Sequence, residues 1–205
     1  MQNINRGTLI VFSGPSGVGK GTILGKIVGR RKNLKLSVSY TTRKPRGGEI
    51  DGVNYHFVSE NEFLEIVKEG GMLEYAKYCG NYYGTPRKSV EEEIENGNNV
   101  ILEIEVQGGE QILKKYPESV GIFVIPPSLN ELKSRLTARA LDHEEVISKR
   151  IEEARREIEF SKFYDYVVVN ESVEECASNI LKIVDSQNMR FDNMQEVVRG
   201  VLNDA

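Results

Sequence analysis

Cysteine is scarce in this chain: Cys79 and Cys176 are the two among 205 residues, and they lie far apart. No CxxC or His/Cys spacing accompanies them, so neither a disulfide framework nor a metal-binding signature is present. Free thiols in a reducing compartment are the expectation. Histidine is equally rare, and neither His56 nor His143 is placed to act as a general base. No apolar tract approaches the roughly 20 residues of a membrane span. The opening Met1-Gln2-Asn3-Ile4-Asn5-Arg6 carries no apolar secretory core, so a cytoplasmic location is expected. Positive charge is not in excess either. Lys and Arg number 27 against 31 Asp and Glu, a net charge of −4. That balance argues against a general nucleic-acid binder and makes any basic cluster a local site. Internal repeats and low-complexity segments are also absent.

What is present is an ordinary folded composition, 39% hydrophobic and 28% charged. The length suits one α/β core with an inserted subdomain and is too short for two full domains. The most informative segment is Gly14-Pro15-Ser16-Gly17-Val18-Gly19-Lys20, which follows the apolar run Leu9-Ile10-Val11-Phe12 and precedes an amphipathic stretch. Strand, glycine-rich loop and helix form the setting of a phosphate-binding P-loop. Glycines let backbone N–H groups crowd one anion, the helix points its positive end there, and Lys20 adds a point charge. The competing reading is a tight glycine turn. A bound nucleoside triphosphate, with Mg2+ as its counter-ion, is the expectation. The slot after Lys20 usually holds Ser or Thr for the metal. Here Gly21 occupies it, with Thr22 one place later, so magnesium must rely on water and phosphate oxygens.

Buried strands are predicted at Thr8–Ser13, Asn99–Glu103, Val120–Ile125 and Tyr166–Val169, alternating with helical patterns. The helices are predicted at Gly19–Val28, Lys88–Asn96, Gly109–Lys115, Ser128–Arg139, His143–Phe160 and Val173–Asn188. Continuous apolar strands of this kind suit a mainly parallel sheet covered on both faces, an α/β three-layer fold. Pro126-Pro127 ends a strand and Ser128 is the N-cap of the next helix. Residues 38–86 break the rhythm, being rich in Tyr, Thr, Gly and Arg with one helix at Glu60–Lys68. They read as a small, mostly antiparallel insert. The core then spans about 1–37 and 87–188. The tail from 189 to 205 carries Val197, Val198, Val201 and Leu202 at helical spacing, for packing back or for self-association as a homodimer.

The insert opens with Ser39-Tyr40-Thr41-Thr42-Arg43-Lys44-Pro45-Arg46-Gly47-Gly48-Glu49. Two guanidiniums around a stiffening proline make a clamp for a phosphate monoester, with Ser39 and Tyr55 as hydroxyl donors. Taken alone the stretch also fits a solvated basic loop. Together with the P-loop and Gly80-Asn81-Tyr82-Tyr83-Gly84-Thr85, it closely resembles guanylate kinase over about residues 6–185. That resemblance implies transfer of the γ-phosphoryl of ATP to GMP, with dGMP as a second acceptor, and a P-loop fold with a mobile lid near residues 137–152.

The resemblance also implies roles. Gly14 through Thr22 would hold ATP, with Asn170 near the adenine. Ser39, Arg43, Arg46, Tyr55 and Tyr83 would hold the GMP phosphate. Glu74 and Thr85 would read the guanine, with Glu49 in the same pocket and Glu103 contacting guanylate and the metal environment. The chemistry agrees, because guanine N1–H and N2–H2 suit one carboxylate and O6 suits a hydroxyl. Glu74 otherwise reads as a surface strand carboxylate. Glu105 stands where most relatives have Asp and is expected to contact magnesium through water. Arg135, Arg139 and Arg150 would be catalytic lid arginines acting with Lys20; they otherwise read as surface charges paired to Glu131, Glu144 or Glu145. The usual Arg-Gly-Thr lid turn is Arg139-Ala140-Leu141 here. Two rivals remain at this point: a phosphopeptide-binding module of the same fold, and a kinase for AMP or UMP.

Overall fold

In the computed structural model, which describes residues 6–78, 80–138 and 144–203, the chain alternates strands and helices. The order is β1 (Leu9–Ser13), α1 (Lys20–Ile27), β2 (Leu34–Leu36), β3 (Tyr40–Thr41), β4 (His56–Phe57), α2 (Glu60–Lys68), β5 (Met72–Tyr78) and β6 (Asn81–Pro86). Then come α3 (Arg87–Glu95), β7 (Asn99–Glu103), α4 (Val106–Lys115), β8 (Val120–Ile125), α5 (Leu129–Ala138) and α6 (Glu144–Glu159). A short 3-10 turn (Phe160–Phe163), β9 (Tyr166–Val169), α7 (Val173–Gln187) and α8 (Phe191–Asn203) complete the chain.

The main sheet has the order β2-β7-β1-β8-β9, and every pairing in it is parallel. β1 lies at its centre and is buried throughout. Its side chains alternate between faces, as strand geometry requires. Ile10 and Phe12 pack with Ile23 and Ile27 of α1 and Ile180 and Val184 of α7. Leu9 and Val11 face the other way, against Val90 and Ile94 of α3 and Ile112 of α4. A third cluster, Leu132, Leu136, Ile147 and Ala154, joins α5 to α6.

The predicted core strands are found at their expected places. One further strand is present, and one helix start differs by more than a residue. β2 was absent from the sequence reading because three residues with one exposed lysine carry little pattern. α4 begins at Val106, three residues before the predicted Gly109, since the glycines at 108 and 109 mask the helical signal. Ser128 caps α5 as expected, its Oγ accepting from Glu131 N at 3.0 Å.

Residues 40–86 form a second sheet, ordered β4-β3-β6-β5. β3 and β5 run antiparallel to β6, whereas β4 pairs parallel to β3, so the insert is mixed. α2 coincides with its predicted span and starts with a full capping box between Ser59 and Glu62. Phe63 from α2 stacks on Tyr82 with ring centroids 5.3 Å apart. The tail forms α8; none of its described residues is buried, although residues 193–195 at its start are half-buried. Val201 and Leu202 are 70% and 72% exposed. Among the described residues no helix is long and apolar enough to cross a membrane.

Candidate active site

The P-loop lies between β1 and α1, at the C-terminal edge of the parallel sheet, where open α/β sheets bind ligands. Gly17 and Gly19 have φ of 85° and 101°, conformations that an L side chain resists. Gly14 passes so close to the Val124 carbonyl that no Cβ fits. Asn170, 2% exposed, buttresses the loop by donating from Nδ2 to the Val18 carbonyl at 2.7 Å. Its Oδ1 has no hydrogen-bond partner among the described residues. Lys20 folds back over the loop and donates to the Gly14 carbonyl at 2.5 Å.

From Lys20 a cavity of about 540 Å³ runs to the second sheet. Its walls include Ser39, Arg43, Arg46, Glu49, Tyr55, Glu74, Tyr83, Glu103 and Glu105. Residues separated by more than eighty positions in sequence thus share one cleft. Gly21 carries no side chain, and nothing lies within 4 Å of where its Cβ would be.

At the insert end, Arg43 makes a two-pronged ion pair with Glu49, at 2.9 and 2.8 Å, and lies 5.4 Å from the centre of the Tyr55 ring. The Arg46 amide also donates to Glu49, at 2.7 Å. These donors pull the Glu49 carboxyl down to about 2. Glu49 therefore lines the expected pocket with its carboxylate turned onto Arg43. Burial raises the Tyr55 phenol, and the nearby Glu103 carboxylate adds to the shift.

Glu74 is 7% exposed and its carboxyl is raised by that burial. Thr85 donates its hydroxyl to Glu74 Oε1 at 2.6 Å. The hydroxyl expected to donate toward a guanine O6 instead fixes the carboxylate. Glu103 opens into the cleft, yet the walls strip enough water to raise its carboxyl; Lys20 opposes this and Glu105 adds to it. Glu103 and Glu105 end β7 and begin α4, beside Lys20.

On the other side, Arg150 donates to Ser16 Oγ at 3.0 Å, which brings α6 onto the P-loop. Arg135 is held by Glu131 at 2.9 Å and by the Asn170 carbonyl at 3.1 Å, so it lies at the loop but is engaged there. Arg139, Ala140, Leu141 and His143 lie outside the described residues, as does Cys79. Cys176 is a buried free thiol.

The family model described as guanylate kinase matches residues 6–187. A guanylate kinase of Lactococcus lactis is 49% identical over 200 residues, covering 98% of both chains. One from Oceanobacillus iheyensis is 46% identical, covering 98% of this chain and 97% of that one. Among solved structures, guanylate kinase from Anaplasma phagocytophilum superposes with a TM-score of 0.79 at 34% identity, over 95% of this chain and 94% of the other. The chain belongs to the guanylate kinase family.

In this guanylate kinase fold two contributors escaped the sequence reading. Gly108 in α4 faces Glu74, and a Cβ there would stand 2.7 Å from Glu74 Oε2. The signal was available: paired glycines inside a helix cost about 1 kcal/mol each and need a reason. Glu157 of α6 accepts from the Ser16 amide at 3.2 Å. Burial raises its carboxyl, the Ser16 amide lowers it, and Glu105 adds to the rise. Nothing in its local sequence distinguishes it from the other acids of α6.

Proposed function

We propose that this chain transfers the γ-phosphoryl group of ATP to GMP, giving ADP and GDP. Family membership supports the reaction class. The observation that carries the reading is the single cleft with the P-loop lysine at one end and Arg43, Tyr55, Tyr83 and Glu74 at the other. Donor and acceptor anions then face one another across it.

Phosphoryl transfer asks the protein mainly for positioning and charge stabilisation. P-loop amides and Lys20 hold the triphosphate; Lys20 is already poised over the loop mouth. Arg43, Arg46, Ser39, Tyr55 and Tyr83 hold the GMP phosphate, with Arg43 exchanging its Glu49 partner for the substrate. Glu74 accepts from guanine N1–H and N2–H2, while Thr85 fixes its orientation. Adenine lacks that donor pair, and mismatched buried polar groups reject an analogue by about 10⁴-fold. The 2′-hydroxyl is not part of this reading, which therefore extends to dGMP. Asn170 offers its unpartnered Oδ1 to a donor on the ATP side. The GMP phosphate is already anionic, so no strong general base is required.

Mg2+ is the cofactor this chemistry implies. Among the described residues no group of three or more His, Cys, Asp or Glu forms a cage. The two adjacent carboxylates, Glu103 and Glu105, fit a hard cation that keeps most of its waters and is shared with substrate phosphates. When bound, it neutralises charge on the phosphate oxygens. Arg135 and Arg150 are the lid arginines of this reading, together with Arg139, and the 137–152 segment closes over ATP to exclude water. The insert at 38–86 closes from the GMP side. The cytoplasm, where nucleotide substrates reside, is the compartment this reading implies.

A coupled ADP-release assay across GMP, dGMP, AMP and UMP tests the proposal. Turnover on GMP and dGMP, with Lys20→Ala reducing kcat by about 10²-fold or more, is the expected result. ADP release indifferent to the acceptor would overturn it, and a phosphopeptide-binding module would give none.

A further inference from the structure

Ser16 is gripped by two residues of opposite charge from one helix. Arg150 reaches its hydroxyl at 3.0 Å and Glu157 accepts from its amide at 3.2 Å. The two lie two turns apart on α6 and so share one face. Glu157 is half-buried beside the cleft, where Lys20, Glu105 and Glu153 are its charged neighbours. The amide it occupies belongs to the nest of N–H groups that a P-loop aims at phosphate. A carboxylate oxygen and a phosphate oxygen carry the same sign and want the same donor.

We propose that Glu157 is a displaceable stand-in for a phosphate oxygen on the P-loop, so that arriving triphosphate expels this carboxylate and re-aims α6, which carries Arg150. The inference rests on the P-loop as the triphosphate site. Its logic is one of paired signs on one rigid element. Phosphate attracts the Arg150 guanidinium and repels the Glu157 carboxylate, so α6 responds to the same ligand at two points. Contact with a short anion such as sulfate gains less from the arginine and still has to displace the acid. The displacement costs every anion alike; a triphosphate offsets it through its added contact with Arg150, and a stray small anion does not, so such anions bind too weakly to block the loop. It is a positioning residue; it does not touch the reacting atoms.

The test is binding of inorganic tripolyphosphate, ATP and AMP to the full chain by calorimetry, with steady-state kinetics alongside. Glu157→Gln keeps the side-chain shape and an acceptor oxygen but removes the charge. Tripolyphosphate and ATP should bind about 5- to 10-fold tighter to this variant, the factor by which charge strengthens a hydrogen bond to an amide. AMP, which lacks the outer phosphates, should bind unchanged. The ATP KM should fall while the GMP KM stays within about twofold, a split that loss of structure does not produce. Sulfate should become a better inhibitor. Glu157→Ala must shift binding in the same direction, which keeps the test valid if one variant folds poorly. Tripolyphosphate binding no tighter in either variant overturns the proposal. Lys20→Ala separates the two levels: if it leaves tripolyphosphate binding unaltered, the P-loop assignment itself fails.

Discussion

Replacing Glu74 by Gln exchanges one oxygen for an NH2 group at a site that is 7% exposed and already tied to Thr85. Two consequences of opposite sign follow. The Glu74 carboxyl is raised by burial, so the folded chain carries its charge less easily than the unfolded chain does. A raised folded value means stability is fully present below the unfolded carboxyl range and is lost as pH rises through the folded value. A neutral amide escapes that loss. At pH 7 the variant should gain on the order of 1 kcal/mol, as replacements of poorly compensated buried charge do. For a chain of this size that is a rise of about 2–4 °C in melting temperature. Recognition moves the other way. The amide retains one acceptor and turns a donor toward the donor pair of guanine, so one charge-assisted bond is lost and one contact becomes repulsive. Together these should lower kcat/KM for GMP by about 10²- to 10³-fold and bring it toward the value for AMP. The measurement is a coupled ADP-release assay with GMP and AMP, paired with thermal melts at pH 7. A variant that melts lower and keeps its GMP preference within about threefold would refute the reasoning, since the carboxylate would then be structural.

Two further outcomes are expected. Gly25 sits in α1 with open space where a Cβ would stand, so Gly25→Ala should stabilise by about 0.5–1 kcal/mol in urea unfolding with turnover unchanged. Burial pushes the Tyr164 hydroxyl up to about 12, so its contribution to stability is complete below about pH 10 and is lost as pH rises toward 12. Melting temperature against pH should therefore fall less steeply in that window for Tyr164→Phe; identical alkaline slopes would place the loss elsewhere, beginning with the Cys176 thiol, which burial raises to about 11.

Much of the fold was legible because its cues are local. The run Leu9-Ile10-Val11-Phe12 can be buried on both faces only in a covered sheet, and the glycines after it leave few conformations but a phosphate loop. The Ser59 and Glu62 pair announces the start of α2 within four residues. The clamp reading of Arg43 and Arg46 rested on their spacing, and the guanine-reading role proposed for Glu74 rested on family resemblance. What the sequence by itself determined was thus the order of the core elements other than β2, the P-loop and the inventory of charged and hydroxyl groups.

Which groups meet was decided by the tertiary structure, because long-range electrostatics and packing have no sequence period. Chain order does not show that Glu49 neutralises Arg43, that the Thr85 hydroxyl donates a hydrogen bond to Glu74, or that Gly108 on α4 leaves room for that carboxylate. Nor does it distinguish Glu157 from Glu152 or Glu153; only the seating of α6 against β1's loop puts one of them on the Ser16 amide. Even the exposed apolar face of α8 could be told from a packed one only by finding what lies beside it.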